Sequence, residues 1–79
     1  VKINWAELLR NDTIGDPSTF MYNIAGKHKI TISPTSLSYI CLGMKMLNHL
    51  RENHMREVNV VEIGGGYGGY CYIIHQLSY

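Results

Sequence analysis

The stretch Val60-Val61-Glu62-Ile63-Gly64-Gly65-Gly66-Tyr67-Gly68-Gly69 constrains this chain more than any other. It is an apolar run carrying one carboxylate that breaks into a loop with five glycines in six positions. Glycine reaches backbone conformations that a Cβ disfavours and lets the main chain approach a ligand closely. The residues leading in, Val58, Val60, Val61 and Ile63, are β-branched and apolar, as in a parallel strand buried on both faces. Beyond the loop, Tyr70, Ile73, Ile74 and Leu77 recur on one helical face. Strand, glycine loop, helix is the opening unit of a nucleotide- or cofactor-binding α/β domain.

Upstream, Ile3, Trp5, Leu8 and Leu9 mark a short helix over residues 2 to about 10, with Trp5 on its apolar face. The turn formers Asn11-Asp12-Thr13-Ile14-Gly15-Asp16-Pro17 end it. Phe20, Tyr22 and Ile24 alternate in strand fashion up to Gly26-Lys27, and Ile30-Thr31-Ile32 is a second extended candidate. Ser33 followed by Pro34 is a helix start, a capping hydroxyl with proline at the first helical position. That helix is expected to run to about His54, with Leu37, Ile40, Cys41, Met44, Leu47 and Leu50 on one stripe.

Hydrophobic residues make up 46% of the chain and charged ones 16%, a globular balance. A core of 79 residues is marginal, since a domain of this size buries only roughly 60% of its unfolded surface. A doubly wound sheet needs several βα units, and there is room here for about one plus a lead-in. The expected organisation is therefore α/β but incomplete: a lead-in arm over 1–32, then the start of a Rossmann-like domain over 33–79. The net charge of +1 selects no partner, and Lys27, His28 and Lys29 read as a solvated loop rather than a nucleic-acid patch. Cys41 and Cys71 read as small buried hydrophobes in a reducing compartment. No apolar stretch reaches the roughly 20 residues needed to span a bilayer. The expected setting is the cytoplasm, with no membrane or nucleic-acid partner.

Two cofactor templates fit the loop. As G-x-G-x-x-G, the dinucleotide fingerprint of NAD(P)- and FAD-dependent oxidoreductases, it uses Gly64, Gly66 and Gly69. As acidic-x-G-x-G-x-G, the first motif of S-adenosylmethionine-dependent methyltransferases, it uses Glu62, Gly64, Gly66 and Gly68. A pyrophosphate at the helix N-terminus would sit poorly beside Glu62, whereas a carboxylate suits a sulfonium and an ammonium group. The residues lean toward the methyl donor without closing the choice. A third reading is a non-catalytic fragment that only pairs with another chain; separately, the loop could be no more than a turn that lets strand and helix pack closely. Tyr67 either flanks a cofactor or lies on the surface.

The block Val61-Glu62-Ile63-Gly64-Gly65-Gly66-Tyr67-Gly68-Gly69, with Ile32-Ser33-Pro34-Thr35-Ser36-Leu37-Ser38-Tyr39 and Asn11-Asp12-Thr13-Ile14-Gly15-Asp16-Pro17 before it, resembles the putative sugar O-methyltransferases. These are class I, Rossmann-like enzymes, and the three blocks span most of the chain. The resemblance implies S-adenosylmethionine at the carboxyl ends of the strands and methyl transfer to a sugar hydroxyl of a glycan or nucleotide-sugar. By matching position, Glu62, Gly64, Gly65, Gly66, Tyr67 and Gly68 would line the cofactor, and Ser33 to Tyr39 would close over its methionine end or the acceptor. The family pattern often has arginine after the position of Leu37; Ser38 stands there instead, so no charged partner for the cofactor's carboxylate is expected at that point. No metal site is expected. His28, His49, His54 and His75 are the neutral-pH base candidates, none in a pattern that assigns it the role, so the catalytic residues stay unassigned.

Overall fold

The computed structural model describes residues 3–24, 26 and 28–78. Lys2, Lys27 and Tyr79, which belong to the expected first helix, basic cluster and final segment, lie outside them.

Helix α1 spans Trp5–Leu9, capped by Asn4, whose side chain accepts the Glu7 N–H. It tightens into a 3₁₀ turn over Arg10–Thr13, so the polar Asn11-Asp12 pair continues a helical path instead of simply ending it. Strands β1, Phe20–Ile24, and β2, His28–Ile32, form an antiparallel hairpin with Tyr22 opposite Ile30 and Phe20 opposite Ile32. Alternation along β2 buries Ile30 and Ile32 and turns Lys29 and Thr31 to solvent, while His28, on the buried side but at the strand's end, is exposed.

Helix α2 covers Pro34–Glu52 and starts as its sequence dictates: Ser33 Oγ accepts the Ser36 N–H at 3.1 Å, with Pro34 beginning the first turn. Its end is a Schellman motif. The Met55 N–H donates to Leu50 O and the His54 N–H to Arg51 O, with His54 left-handed at φ 55° where glycine is usual. The helix therefore stops two residues before the expected His54.

Helix α3, Gly69–Leu77, packs on α2 at Gly43, where an added Cβ would lie 3.0 Å from Leu77 Cδ1. The Tyr39 and Tyr70 rings meet beside it with centroids 5.4 Å apart. This contact turns the buried line of α2 onto Ser36, Ile40 and Gly43, leaving Met44 on the outside. Cys41, one residue and about 100° round from Ile40, is exposed. Cys71, two positions from Ile73 and so on the far side of α3, is exposed as well. The expectation that both thiols are buried is thus corrected. The core joins Leu8 of α1, Ile30 and Ile32 of β2, Ile40 of α2, and Ile73 and Leu77 of α3. The expected division at residues 32 and 33 runs through this shared cluster.

The largest departure concerns residues 58–63. The expected strand does not form: the only strands among the described residues are β1 and β2, which pair with each other. A strand exists through its ladder of bonds to a neighbouring strand, and no described residue supplies one here. Val61 and Ile63 are left 86% and 96% exposed. The parallel sheet of a Rossmann-like domain is accordingly not among these elements, which make a small mixed arrangement of helices and one hairpin.

Candidate functional site

The glycine loop leads into α3 through alternating left-handed residues. Gly64, Gly66 and Gly68 have φ of 72°, 57° and 88°, the region where a side chain is costly. The Gly68 N–H donates to Gly65 O at 2.9 Å, closing the turn, and Gly68 caps α3 with no side chain engaged. The first-turn N–H groups of α3 have no partner within the helix.

Glu62 folds back over this turn. Its Oε1 lies 2.9 Å from the point a Cβ of Gly65 would occupy, so the carboxylate sits on the loop rather than away from it. Tyr67, 58% exposed, is tethered at its hydroxyl: Asn11 Nδ2 donates to it at 3.1 Å. Its ring crosses Gly69, whose absent Cβ would come within 2.9 Å of Tyr67 Cε2 and of Asn11 Oδ1.

Behind Tyr67 lies a buried polar network. Asn11 Nδ2 also donates to Ser36 Oγ at 2.7 Å. Ser36 Oγ and Ser33 Oγ each donate to Asp12 Oδ1 at 2.7 Å, and the Ser33 N–H donates to Asp12 Oδ2 at 2.7 Å. Asn11, Ser33 and Ser36 are all buried, which such groups tolerate only when bonded. For Asp12, burial opposes ionisation, but the bonds from Ser36, the Ser33 hydroxyl and the Ser33 N–H together outweigh it and hold its pKa below the ordinary carboxylate value. Tyr72 adds a second tie, donating from its hydroxyl to Glu7 O at 2.7 Å and linking α3 to α1.

Two clefts flank the loop. One, of about 270 Å³, is bordered by Arg10, Asn11, Thr13, Ile14, Tyr67, Gly68, Gly69 and Tyr72. The other, of about 430 Å³, lies between Val60–Ile63 and Tyr70, Cys71 and Ile74. Of the expected cofactor residues, Tyr67 and Gly68 line the first cleft and Glu62 the second, while Gly64, Gly65 and Gly66 line neither. No histidine lines either cleft. His49 is an exposed partner of Asn53 on α2. Among the described residues no group of three or more His, Cys, Asp or Glu could hold a metal ion, and no helix is long and apolar enough to cross a membrane.

As turn formers, Asn11 and Asp12 give no sign in the sequence that they reach Ser36, Ser33 and Tyr67. The available signal was the pair of serines at the start of α2: Ser33 serves as the cap, leaving Ser36 as an unexplained polar residue on the buried face. No family model matches the chain, and no curated protein and no solved structure matches it.

Proposed function

We propose that this chain carries the cofactor-binding start of an S-adenosylmethionine-dependent O-methyltransferase acting on a sugar hydroxyl. The observation that carries the reading is the Glu62 carboxylate folded onto Gly65, inside a glycine loop whose turns leave room for a ligand. One unit charge beside another at 4 Å is worth about 1 kcal/mol in water, and more once a ligand covers the pair. That exceeds or equals the roughly 0.3–1 kcal/mol by which a helix N-terminus favours an anion. A carboxylate here therefore disfavours the pyrophosphate of NAD(P) or FAD and favours a sulfonium and an ammonium group.

Glu62, Gly64, Gly65, Gly66, Tyr67 and Gly68 are the residues that would hold the cofactor, which supplies an electrophilic methyl group when bound. The exposed apolar run at 58–63 is, on this reading, a strand of a parallel sheet completed by other segments, since such strands are apolar on both faces. The acceptor hydroxyl needs a base, and no residue lining the two clefts is assigned that role. We place the enzyme in the cytoplasm, in keeping with two free and exposed thiols.

Calorimetric titration of the full-length protein with S-adenosylhomocysteine and with NADH tests the proposal. Binding of the first alone is expected, with Glu62→Gln weakening it. Binding of NADH alone would replace this reading with an oxidoreductase. Binding of neither would leave the third alternative, a pairing module without catalysis.

A further inference from the structure

The network behind Tyr67 has a direction. An ionised carboxylate carries no hydrogen, so both hydroxyl hydrogens that reach Asp12 Oδ1, from Ser33 and from Ser36, are spent there. Ser36 Oγ then has only lone pairs to offer, and it accepts from Asn11. This fixes the Asn11 carboxamide with its nitrogen toward Ser36, because its oxygen in that place would face another oxygen with no hydrogen between them. The second hydrogen of the same nitrogen goes to Tyr67, so the tyrosine oxygen is an acceptor on that side. The hydroxyl hydrogen of Tyr67 is left over, beside the cleft of about 270 Å³.

We infer that Asp12 sets the polarity of the chain Asp12–Ser36–Asn11–Tyr67, so that Tyr67 stands beside the glycine loop as a hydrogen-bond donor to an acceptor oxygen of the bound ligand. Asp12 and Asn11 are then positioning residues, and Tyr67 is the residue that touches the ligand. The identity of that ligand as an adenosyl amino acid rests on the reading above. Two groups of such a ligand present an acceptor oxygen, its carboxylate and its ribose. The arrangement also accounts for burying three polar side chains next to a carboxylate, since a half-satisfied network of this kind would destabilise the fold.

The test compares wild type, Tyr67→Phe and Asp12→Asn in the full-length protein. Tyr67→Phe removes only the oxygen and its hydrogen, and is expected to weaken S-adenosylhomocysteine roughly tenfold, the scale of one hydrogen bond. Asp12→Asn, which puts an NH₂ within the network, is expected to weaken it too, with the circular dichroism spectrum unchanged. Repeating the titration with 5′-methylthioadenosine, which lacks the carboxylate, identifies the acceptor. A penalty that vanishes puts it on the amino-acid end and one that persists puts it on the ribose, and either supports the donor. A wild type that binds, with Tyr67→Phe binding equally well, overturns the inference and leaves the cofactor reading standing; a wild type that binds nothing overturns the cofactor reading. NMR of the Asn11 side-chain amide tests the relay without any ligand. Slow solvent exchange of both hydrogens in wild type, with one released in Tyr67→Phe, is expected. Exchange as fast as in an exposed asparagine overturns the relay.

Discussion

Asn11 Nδ2 donates to the Tyr67 hydroxyl at 3.1 Å, joining a 3₁₀ turn near the start of the chain to the glycine loop 56 residues later. The same two side chains enclose Gly69, and this explains why the last glycine of the loop must lack a Cβ although its backbone is helical. Asn11 is held from its other side by Ser36 and has no room to give. We expect Gly69→Ala to destabilise the fold by about 1–3 kcal/mol, as overpacking does. Gly65→Ala meets only the mobile end of Glu62 and is expected to cost less. Urea denaturation of the two variants gives the comparison, and equal stabilities would contradict it.

Gly66 poses a different constraint. A Cβ there would meet nothing within 4 Å, but its φ is 57°. The cost of a side chain is then backbone strain, which asparagine tolerates and valine does not. Gly66→Asn is expected to keep near-native stability, and Gly66→Val to lose at least about 1–2 kcal/mol. The midpoints of thermal unfolding should rank wild type, asparagine, valine.

His54 is the one described residue other than glycine with positive φ. It occupies the position after α2 where glycine closes a Schellman motif without strain. His54→Gly is expected to raise stability by about 0.5–1 kcal/mol, the relief of left-handed strain less the added chain entropy of glycine. A drop in the unfolding midpoint would mean that the imidazole makes a contribution larger than the strain.

Asp12 makes stability depend on pH with a definite sign. Its pKa is lowered in the folded chain, burial opposing but the Ser36 and Ser33 bonds prevailing. Folding therefore favours the ionised form. The stabilisation is complete above the ordinary carboxylate pKa of about 3.9 and is lost as pH falls through the lowered value. Wild type should exceed Asp12→Asn in stability near neutrality, and the gap should narrow in acid. A gap that widens with acid would reverse the assignment.

Cys41 and Cys71 lie on the outer sides of α2 and α3. Both are expected to react with a thiol reagent in the native protein, at rates close to those in denaturant. Protection of either one would indicate that another segment or molecule covers its helix.

What the sequence determined by itself is local. Ser33-Pro34 starts α2 because the hydroxyl and the proline act within one turn, and Gly64, Gly66 and Gly68 take the left-handed conformations that glycine alone adopts without strain. The apolar spacing of Tyr70, Ile73, Ile74 and Leu77 likewise gave α3 and its buried side. Helix ends and face orientation were less legible. Which line of α2 is buried depends on the close approach of α3 at Gly43, a contact that also puts Cys41 and Met44 outside. The valine-rich run at 58–63 has strand composition, but a strand needs a partner that composition does not provide. The Asn11–Tyr67 tie was invisible for a related reason. Hydrogen-bond geometry depends on distance in space, and only the packing of the 3₁₀ turn, the start of α2 and the glycine loop on a common core brings those side chains within reach.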